Sequence, residues 1–373
     1  MNKPKIRFKG FEGEWKDSML SDFSYSICSG RDTAHKGIYP LYGSTGIIGT
    51  TNKPSYNGAM LLVARVGANA GKLQIINEEC GVSDNTLIIK PNGNISVSWL
   101  YYYLVHCNLN HLVYGSGQPL ITGYMLKRIP ILLGSKKECD EIASYFTSLD
   151  AQIAASTSRL SSLKQIKAAS LLNMFPQKGE MVPRVRFKGF QGEWKERKLG
   201  EVFSERVENN INGQLLSVTL NKGIIRASEN GKLDNSNSDK SKYKVVNIND
   251  IAYNSMRMWQ GASGCSKYEG IVSPAYTVIT PKEDIDSSFF SYLFKTDIAI
   301  NKFRLHSQGL TSDNWNLKYP AFSKIDVYCP LDISEQRAIA SYFTALDAQI
   351  TLHRERLEKL KQIKAACLEK MFA

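Results

Sequence analysis

The chain contains two copies of the same pair of sequence blocks, and this repeat limits the folds that it can adopt. Residues 7–15 (RFKGFEGEW) return at 186–194 as RFKGFQGEW. A second block at 144–153 (SYFTSLDAQI) returns at 341–350 as SYFTALDAQI. The stretches between the blocks hardly match, and the second stretch is longer. Two long copies argue against a solenoid of many short repeats and predict two related domains that share a framework but differ in their inserts.

The second block lies in a region with the apolar spacing of a long helix. Positions at alternating spacings of three and four lie along one seam of a helix, and all of them are apolar except Ser156 and His353. The seam residues are Phe146, Leu149, Ile153, Leu160 and Leu163 in the first copy and Phe343, Leu346, Ile350, Leu357 and Leu360 in the second. A lone helix would leave its seam in water, so we expect the two helices to pack on each other. Packing of each helix along its own domain is the alternative.

Two short motifs predict where these helices begin. Residues 135–138 (SKKE) have the form of a capping box, and Asp332 with Glu335 stands at the matching positions of the second copy. Short apolar runs between glycine and asparagine turns, such as 59–64 (AMLLVA) and 276–279 (YTVI), predict β-strands in the inserts.

The expected fold class is α+β, with two β-rich domains separated by two long helices. We expect the helices to form an antiparallel coiled-coil pair, so that the internal repeat gives the chain a pseudo-two-fold shape. The predicted regions are a first β-rich domain, a first helix, a second β-rich domain and a second helix, at residues 1–134, 135–176, 177–331 and 332–373.

Composition bounds the partners and the compartment. The formal net charge of +12 and the sequence pI of about 9.2 favour a polyanionic partner. Seven scattered cysteines are typical of free thiols in a reducing compartment, so we expect a cytoplasmic protein. No apolar run reaches the roughly 20 residues that a membrane-spanning helix needs, and we expect no membrane partner.

The sequence lacks the motifs of a catalytic site. Residues 67–72 (GANAGK) resemble a phosphate-binding loop, but the stretch is one residue short, and Leu73 stands where a magnesium-binding hydroxyl belongs. Residues 43–49 are glycine-rich without the dinucleotide-binding order, so a β-hairpin is expected there. His106, Cys107 and His111 could meet at a metal, yet no metal-binding motif accompanies them. The signature of an amino-methyltransferase is also absent. We therefore expect a chain that binds and does not catalyse.

The candidate binding residues are those whose side chains can read DNA. Arginine, lysine, asparagine and glutamine distinguish bases in the major groove, and contacts to the backbone supply affinity. Such residues occur in loops at the strand ends of both inserts, although ordinary solvated turns carry the same residue types. The predicted DNA-binding residues are Arg65, Asn69, Lys72, Ser83, Asn85 and Gln118 in the first insert and Arg257, Trp259, Gln260, Ser263, Lys267 and Asn314 in the second.

Taken in order, these motifs resemble those of the specificity (S) subunits of type I restriction–modification systems. The likeness covers nearly the whole chain. It rests on the opening blocks at 7–15 and 186–194, on LDAQI at 149–153 and 346–350, and on RMWQG at 257–261 and SPAYT at 273–277.

The resemblance implies that each β-rich domain is a target recognition domain that reads one half of an asymmetric, bipartite DNA sequence. The two long helices, which are conserved in that family, would form a spacer that fixes the distance between the half-sites. The implied partners are double-stranded DNA, two methyltransferase subunits and restriction subunits. The chain itself would hold no cofactor, since S-adenosylmethionine for adenine N6 methylation, and ATP and magnesium for cleavage, would belong to the partners. A stand-alone DNA-binding regulator with the same two domains is the alternative.

Overall fold

The computed structural model describes residues 3–112, 120–220, 222–231, 239–311 and 314–372. The chain divides into two units, each with a hydrophobic core of its own. The first unit consists of Met1–Ser158 together with Arg354–Ala373, and the second unit is Arg159–His353. The division falls inside the two long helices, so each unit contains a part of both.

The first unit contains nine strands and, besides the long helices, two shorter ones among its described residues. The strands are β1 (Lys16–Met19), β2 (Ser24–Ser29), β3 (Tyr39–Gly43), β4 (Gly46–Thr51), β5 (Ala59–Ala64), β6 (Leu73–Asn77), β7 (Gly81–Val82), β8 (Thr86–Pro91) and β9 (Pro130–Leu133). The helices are α1 (Val97–Cys107), α2 (Gly123–Lys127) and the first part of α3 (Lys136–Asn173). Strands β2, β8, β5 and β6 form an antiparallel sheet in that order, β4-β3-β7 forms a second sheet, and β1 pairs with β9.

The second unit follows the same plan. Its strands are β10 (Lys195–Lys198), β11 (Phe203–Glu205), β12 (Leu216–Thr219), β13 (Gly223–Arg226), β14 (Lys244–Val246), β15 (Ile251–Asn254), β16 (Ser263–Cys265), β17 (Gly270–Val272), β18 (Tyr276–Pro281) and β19 (Asp326–Cys329). Its helices are α4 (Leu199–Val202), α5 (Ser287–Leu293), α6 (Asp297–His306), α7 (Tyr319–Phe322) and the first part of α8 (Ile333–Lys370). Strands β11, β18, β15 and β16 form the four-stranded antiparallel sheet, and β12-β13, β14-β17 and β10-β19 are two-stranded.

In each four-stranded sheet one inner strand, β5 in the first unit and β15 in the second, carries apolar side chains on both faces, because both faces are covered. In β5, Leu61 and Val63 point to the core that contains helix α1, while Met60 and Leu62 point to a second cluster under β7. Side chains alternate between the faces of a strand, so a strand buried on both faces is a continuous apolar run. Strand β15 divides its side chains between two clusters in the same way.

The long helices α3 and α8 each contain 38 residues and pair antiparallel within each unit. In the first unit, Lys364 Nζ donates to Asp150 Oδ1 at 2.5 Å. In the second unit the same bond joins Lys167 Nζ to Asp347 Oδ1, also at 2.5 Å. The two bonds connect equivalent residues of the repeat with the helices exchanged. The predicted antiparallel pair is thereby confirmed. Both helices lie inside the predicted helix regions 135–176 and 332–373.

A buried carboxylate fastens the opening block to the start of α3. Glu138, whose side chain is 1% exposed, accepts from Arg7 Nε at 2.5 Å and from Trp15 Nε1 at 3.1 Å. The hydrogen bond to Glu138 also raises the pKa of the Arg7 guanidinium above its ordinary value. The backbone N–H of Glu138 donates to Ser135 Oγ at 3.3 Å, so the first half of the predicted capping box forms. The second half of that prediction is wrong, because the Glu138 carboxylate binds the opening block instead of the helix start.

The second unit repeats this fastening at the start of α8. Glu335 accepts from Arg186 Nε at 2.6 Å, from Arg186 Nη2 at 2.7 Å and from Trp194 Nε1 at 3.3 Å. Arg186 also donates to the carbonyls of Gln191 and Gly192 within its own block, which holds the block as a compact turn. The repeated opening blocks are therefore structural, and their tryptophans lie in the cores at 2% and 1% exposure.

None of the helices formed by the described residues is long and apolar enough to cross a membrane.

Candidate nucleic-acid interface

In the first unit, the end of β5 and the start of β8 bring two loops together. The strands are antiparallel neighbours with Ala64 opposite Thr86, so the segment after β5 lies beside the segment before β8. Arg65 N donates to the carbonyl of Asn85 at 3.0 Å, and Arg65 Nη1 reaches the carbonyl of Asp84 at 3.5 Å. This contact places four of the predicted residues of the first insert, namely Arg65, Asn69, Lys72 and Asn85, on neighbouring loops, and the last three are exposed.

The two other predicted residues of the first insert are Ser83 and Gln118. Ser83 is only 8% exposed, and its backbone N–H donates to the carbonyl of Tyr42, so we leave it out of the contact set. Gln118 lies outside the described residues.

In the second unit, the loop between β15 and β16 carries the predicted side chains. Arg257 and Gln260 are exposed on this loop, and Trp259 is half-buried. The ring of Trp259 meets that of Trp315 edge to face, with 5.3 Å between the centroids and 81° between the planes. Asn314, which precedes Trp315, is exposed. The structure thus brings four of the predicted residues into one surface.

Ser263 and Lys267 are placed elsewhere. Ser263 is fully buried at the start of β16, and its hydroxyl donates to the carbonyl of Gly261 at 3.4 Å. Lys267 is exposed, but it follows the far end of β16, where the carbonyl of Ser266 accepts from Asn249 N. Ser263 and Lys267 therefore lie outside this loop, and contact of either residue with DNA stays a prediction. Turn residues at the two ends of a short strand look alike in sequence.

Lys295 supports the loop of the second unit and was missed by the sequence reasoning. Its Nζ donates to the carbonyls of Gly261 and Ser263, the latter at 2.9 Å, and lies 3.5 Å from the carbonyl of Leu220. These bonds tie the end of the loop to the neighbouring β12–β13 hairpin. No local signal reveals this role, because the partners of Lys295 are more than 30 residues away in sequence.

Lys295 is expected to make the stability of the wild-type chain depend on pH. Burial lowers its pKa from the ordinary 10.5 to about 8; repulsion from Lys167 adds to this shift, and attraction by Asp347 opposes it. Between these two values the folded chain binds fewer protons here than the unfolded chain, so the free energy of unfolding rises with pH. We expect wild type to gain stability relative to Lys295→Met between about pH 8 and 10, measured by urea unfolding.

Lys295→Arg is the control for that measurement, because arginine stays protonated throughout this range. Both variants should show the same pH-dependent difference from wild type. A difference that stays flat across the range would show that Lys295 does not titrate there.

The seam residues of the long helices are packed inside the units. Ile153 is partly buried, and the other nine seam residues are at most 9% exposed. Their burial shows that they pack against other residues of their own units; a role of these residues in a spacer stays a prediction. The opposite side of the helices is exposed and repeated, and we call it the repeated helix face. It consists of Ser144, Thr147, Ser148 and Ala151 in the first unit and of Ser341, Thr344, Ala345 and Ala348 in the second.

The described residues contain no group of three or more histidine, cysteine, aspartate or glutamate side chains placed to hold a metal ion. His111, one of the three residues considered for such a site, has its ring Nδ1 2.5 Å from the carbonyl of Asn108.

Comparison with known proteins points to one family. A family model described as "Type I restriction modification DNA specificity domain" matches residues 12–165 and again residues 191–362. Over 176 residues the chain is 24% identical to the type I restriction enzyme EcoprrI specificity subunit of Escherichia coli. That alignment covers 45% of this chain and 43% of the relative, so the chain spans less than half of the relative's length.

The fold is similar to that of the S subunit of a type I restriction–modification system from M. genitalium. That crystal structure superposes with a TM-score of 0.67 at 14% identity, covering 100% of this chain and 99% of the other. This identity supports a likeness of fold alone. The family model, by contrast, matches most of the sequence and does so once in each repeat. The chain therefore belongs to the family of type I restriction–modification DNA specificity proteins.

Proposed function

We propose that this chain is the specificity subunit of a type I restriction–modification complex, in which each unit reads one half of an asymmetric, bipartite DNA sequence. As a member of its family the chain is a non-catalytic DNA-recognition component. The observation that carries the proposal is that one sheet and one arrangement of loops occur twice, with different exposed side chains. Equivalent scaffolds with different side chains suit the reading of two different base sequences.

The proposed contacts come from the two loop surfaces. In the first unit they are Arg65, Asn69, Lys72 and Asn85, and in the second unit they are Arg257, Trp259, Gln260 and Asn314. Each surface combines a cation with amides, the residue types that make paired hydrogen bonds to guanine and adenine in the major groove. The net charge of +12 supports binding to the phosphate backbone. Binding to DNA also favours a cytoplasmic location.

The repeated helix face is proposed to dock two copies of one methyltransferase subunit. Thr344 Oγ1 lies 3.4 Å from the hydroxyl of Tyr292. The other positions of the face are exposed and nearly identical in both units, although packing constrains buried positions most strongly. Ser96 and Ser98 add to this face in the first unit, where they line a shallow groove with Ser144 and Thr147. Two equal surfaces suit two equal partners.

The remaining parts of the complex follow from this arrangement. We propose that α3 and α8 act as a spacer that sets the gap between the half-sites, as protein geometry does in other bipartite readers. Restriction subunits would join the two methyltransferase subunits. S-adenosylmethionine, ATP and magnesium would bind to those partners, with none of them on this chain. The methyltransferase would extrude its target adenine from the duplex, and this chain would position it.

The proposal is tested by mapping N6-methyladenine in the genome of the source organism, with and without this gene. We expect one bipartite sequence to lose its methylation when the gene is absent. Exchange of residues 17–134 for the matching region of another family member should change one half of that sequence and leave the other half intact. A change in both halves would refute the modular reading. Purification of the chain as a lone, specific DNA-binding protein would favour a stand-alone regulator instead.

A further inference from the structure

The loops that carry Asn69 and Trp259 have the same length and are closed by equivalent backbone hydrogen bonds, although their sequences and the turns inside them differ. Four backbone hydrogen bonds of the first unit recur in the second with every residue number raised by 190. The first pair of equivalent bonds is Ala64 N to Lys72 O and Asn254 N to Ala262 O, and the second is Arg65 N to Asn85 O and Ser255 N to Ala275 O. The third pair is Ala70 N to Gly67 O and Gln260 N to Arg257 O, and the fourth is Thr86 N to Ser83 O and Tyr276 N to Ser273 O. Raising 69 by the same 190 gives 259, so Asn69 and Trp259 align with each other within the short turn of their loops.

Asn69 and Trp259 differ in what they can offer to a ligand: Asn69 has a free polar amide, and Trp259 has an apolar ring. Asn69 is exposed, and its amide makes no hydrogen bond with any other residue that the structure describes. It is therefore free to donate and accept at the edge of a base. The one polar atom of the Trp259 side chain, Nε1, already donates to the carbonyl of Met256 at 3.0 Å. Trp259 is thus left with the carbon surface of its ring as the part that can meet a ligand.

The surroundings of Trp259 form an apolar patch with a polar rim. Met256 is 44% exposed, and the ring of Trp315 stands edge to face against Trp259. Exposed Arg257 and Gln260 flank the patch on the same loop. A cation and an amide around a small apolar surface match the major groove of DNA, where phosphates and polar base edges surround the thymine methyl groups.

Resting on the proposed function, we propose that Trp259 is a specificity-determining residue that recognises a thymine methyl group in the half-site read by the second unit. In a stacked duplex the faces of the bases are covered, so an aromatic ring cannot stack on them without unstacking the helix. The 5-methyl group of thymine projects into the major groove and is the one apolar group that a normal base presents there. An indole ring whose N–H is already bonded can recognise this methyl group through van der Waals contact of its carbon atoms.

The test is a set of duplexes that carry the mapped recognition sequence with single thymines replaced by deoxyuridine, which lacks only the methyl group. Binding is measured with the full chain in its purified complex, at fixed salt. In the second half-site we expect one thymine whose replacement weakens wild-type binding about fourfold, the effect of one buried carbon group. Trp259→Ala should bind the thymine and deoxyuridine duplexes equally, and Trp259→Phe should keep the difference.

Controls separate this inference from the proposed function. Asn69→Ala should weaken binding through the first half-site yet leave the methyl effect in the second half-site unchanged. Absence of a methyl-sensitive thymine for wild type, or a methyl effect that survives in Trp259→Ala, would overturn the inference. If Trp259→Ala does not bind DNA at all, Trp259→Phe decides: a retained methyl effect supports the inference and its loss overturns it. A wild-type complex without any sequence preference would instead refute the proposed function.

Discussion

Replacement of Glu335 by alanine is expected to lower the free energy of unfolding of the second unit by about 3–5 kcal/mol. The Glu335 side chain is 2% exposed and that of Arg186 is 14% exposed, so the ion pair is screened from water. Its removal leaves Arg186 without its counter-charge and leaves Arg186 Nε and the indole N–H of Trp194 without an acceptor. Arg186 keeps only its bonds to the carbonyls of Gln191 and Gly192. An unpaired buried charge costs far more than the loss of a surface ion pair, which is worth roughly 0–1 kcal/mol.

Urea unfolding of the full chain measures the loss, and hydrogen exchange of backbone amides locates it. In Glu335→Ala we expect faster exchange around residues 186–205, with little change around residues 7–20. Glu138→Ala is the matched control, because Glu138 holds Arg7 and Trp15 of the first unit by the same bonds; its effect should appear in the first region. A loss below about 1 kcal/mol would place both pairs in the class of exposed ion pairs.

The sequence predicts those parts of the fold that depend on local periodicity. The seams around Phe146 and Phe343 extend over many turns, so their length and packing are readable from spacing alone. Apolar runs such as 59–64 are long enough to be recognised as buried strands. The internal repeat predicts the pairing of the long helices, because two equal apolar seams in one chain can pack against each other.

The contacts of the glutamates at the helix starts were not predictable in the same way. Glu138 lies three residues after Ser135, a spacing that fits a capping box, whereas its partner Arg7 is 131 residues away. The same glutamate could cap the helix or pair with a distant arginine. Only the capping motif can be recognised from the sequence, because it depends on local spacing. Lys295 was missed for the same reason, because its acceptors come from other parts of the chain.

The candidate site was predictable in its location but not in its details. Loops at strand ends were correctly grouped where the strands are neighbours, as for Arg65 and Asn85. Ser83 and Ser263 have the residue type of an exposed turn, yet both are buried. Ser83 directly follows β7 of the three-stranded sheet, and Ser263 begins β16 of the four-stranded sheet. The alignment of Asn69 with Trp259 rests on backbone hydrogen bonds within each insert. Because the sequences of the two inserts hardly match, this alignment becomes visible only in the structure.

Phe372→Ala is expected to destabilise the first unit by about 3–5 kcal/mol, the usual cost of truncating a buried aromatic side chain. Phe372 is 3% exposed and follows the end of α8. Its ring lies 5.6 Å from that of Tyr103, 5.8 Å from that of Phe146 and 6.1 Å from that of Trp99. The substitution would leave a cavity where α1, α3 and the end of α8 meet, which we expect to detect by urea unfolding.

Phe175→Ala is the matched control because the repeat builds the same contact in the second unit. Phe175 follows the end of α3 and packs on Phe343 at 5.9 Å and on Phe289 at 5.6 Å. We expect the two substitutions to cost similar free energies and to speed hydrogen exchange in different units, around α1 for Phe372 and around α5 for Phe175. A loss below about 1 kcal/mol for Phe372→Ala would mean that the end of α8 frays, since a cavity of this size cannot form at so small a cost. Equal losses of free energy would show that the two copies of the repeat stabilise their units equally. In each unit, the phenylalanine that follows the last turn of a long helix would then contribute the same packing energy to the core.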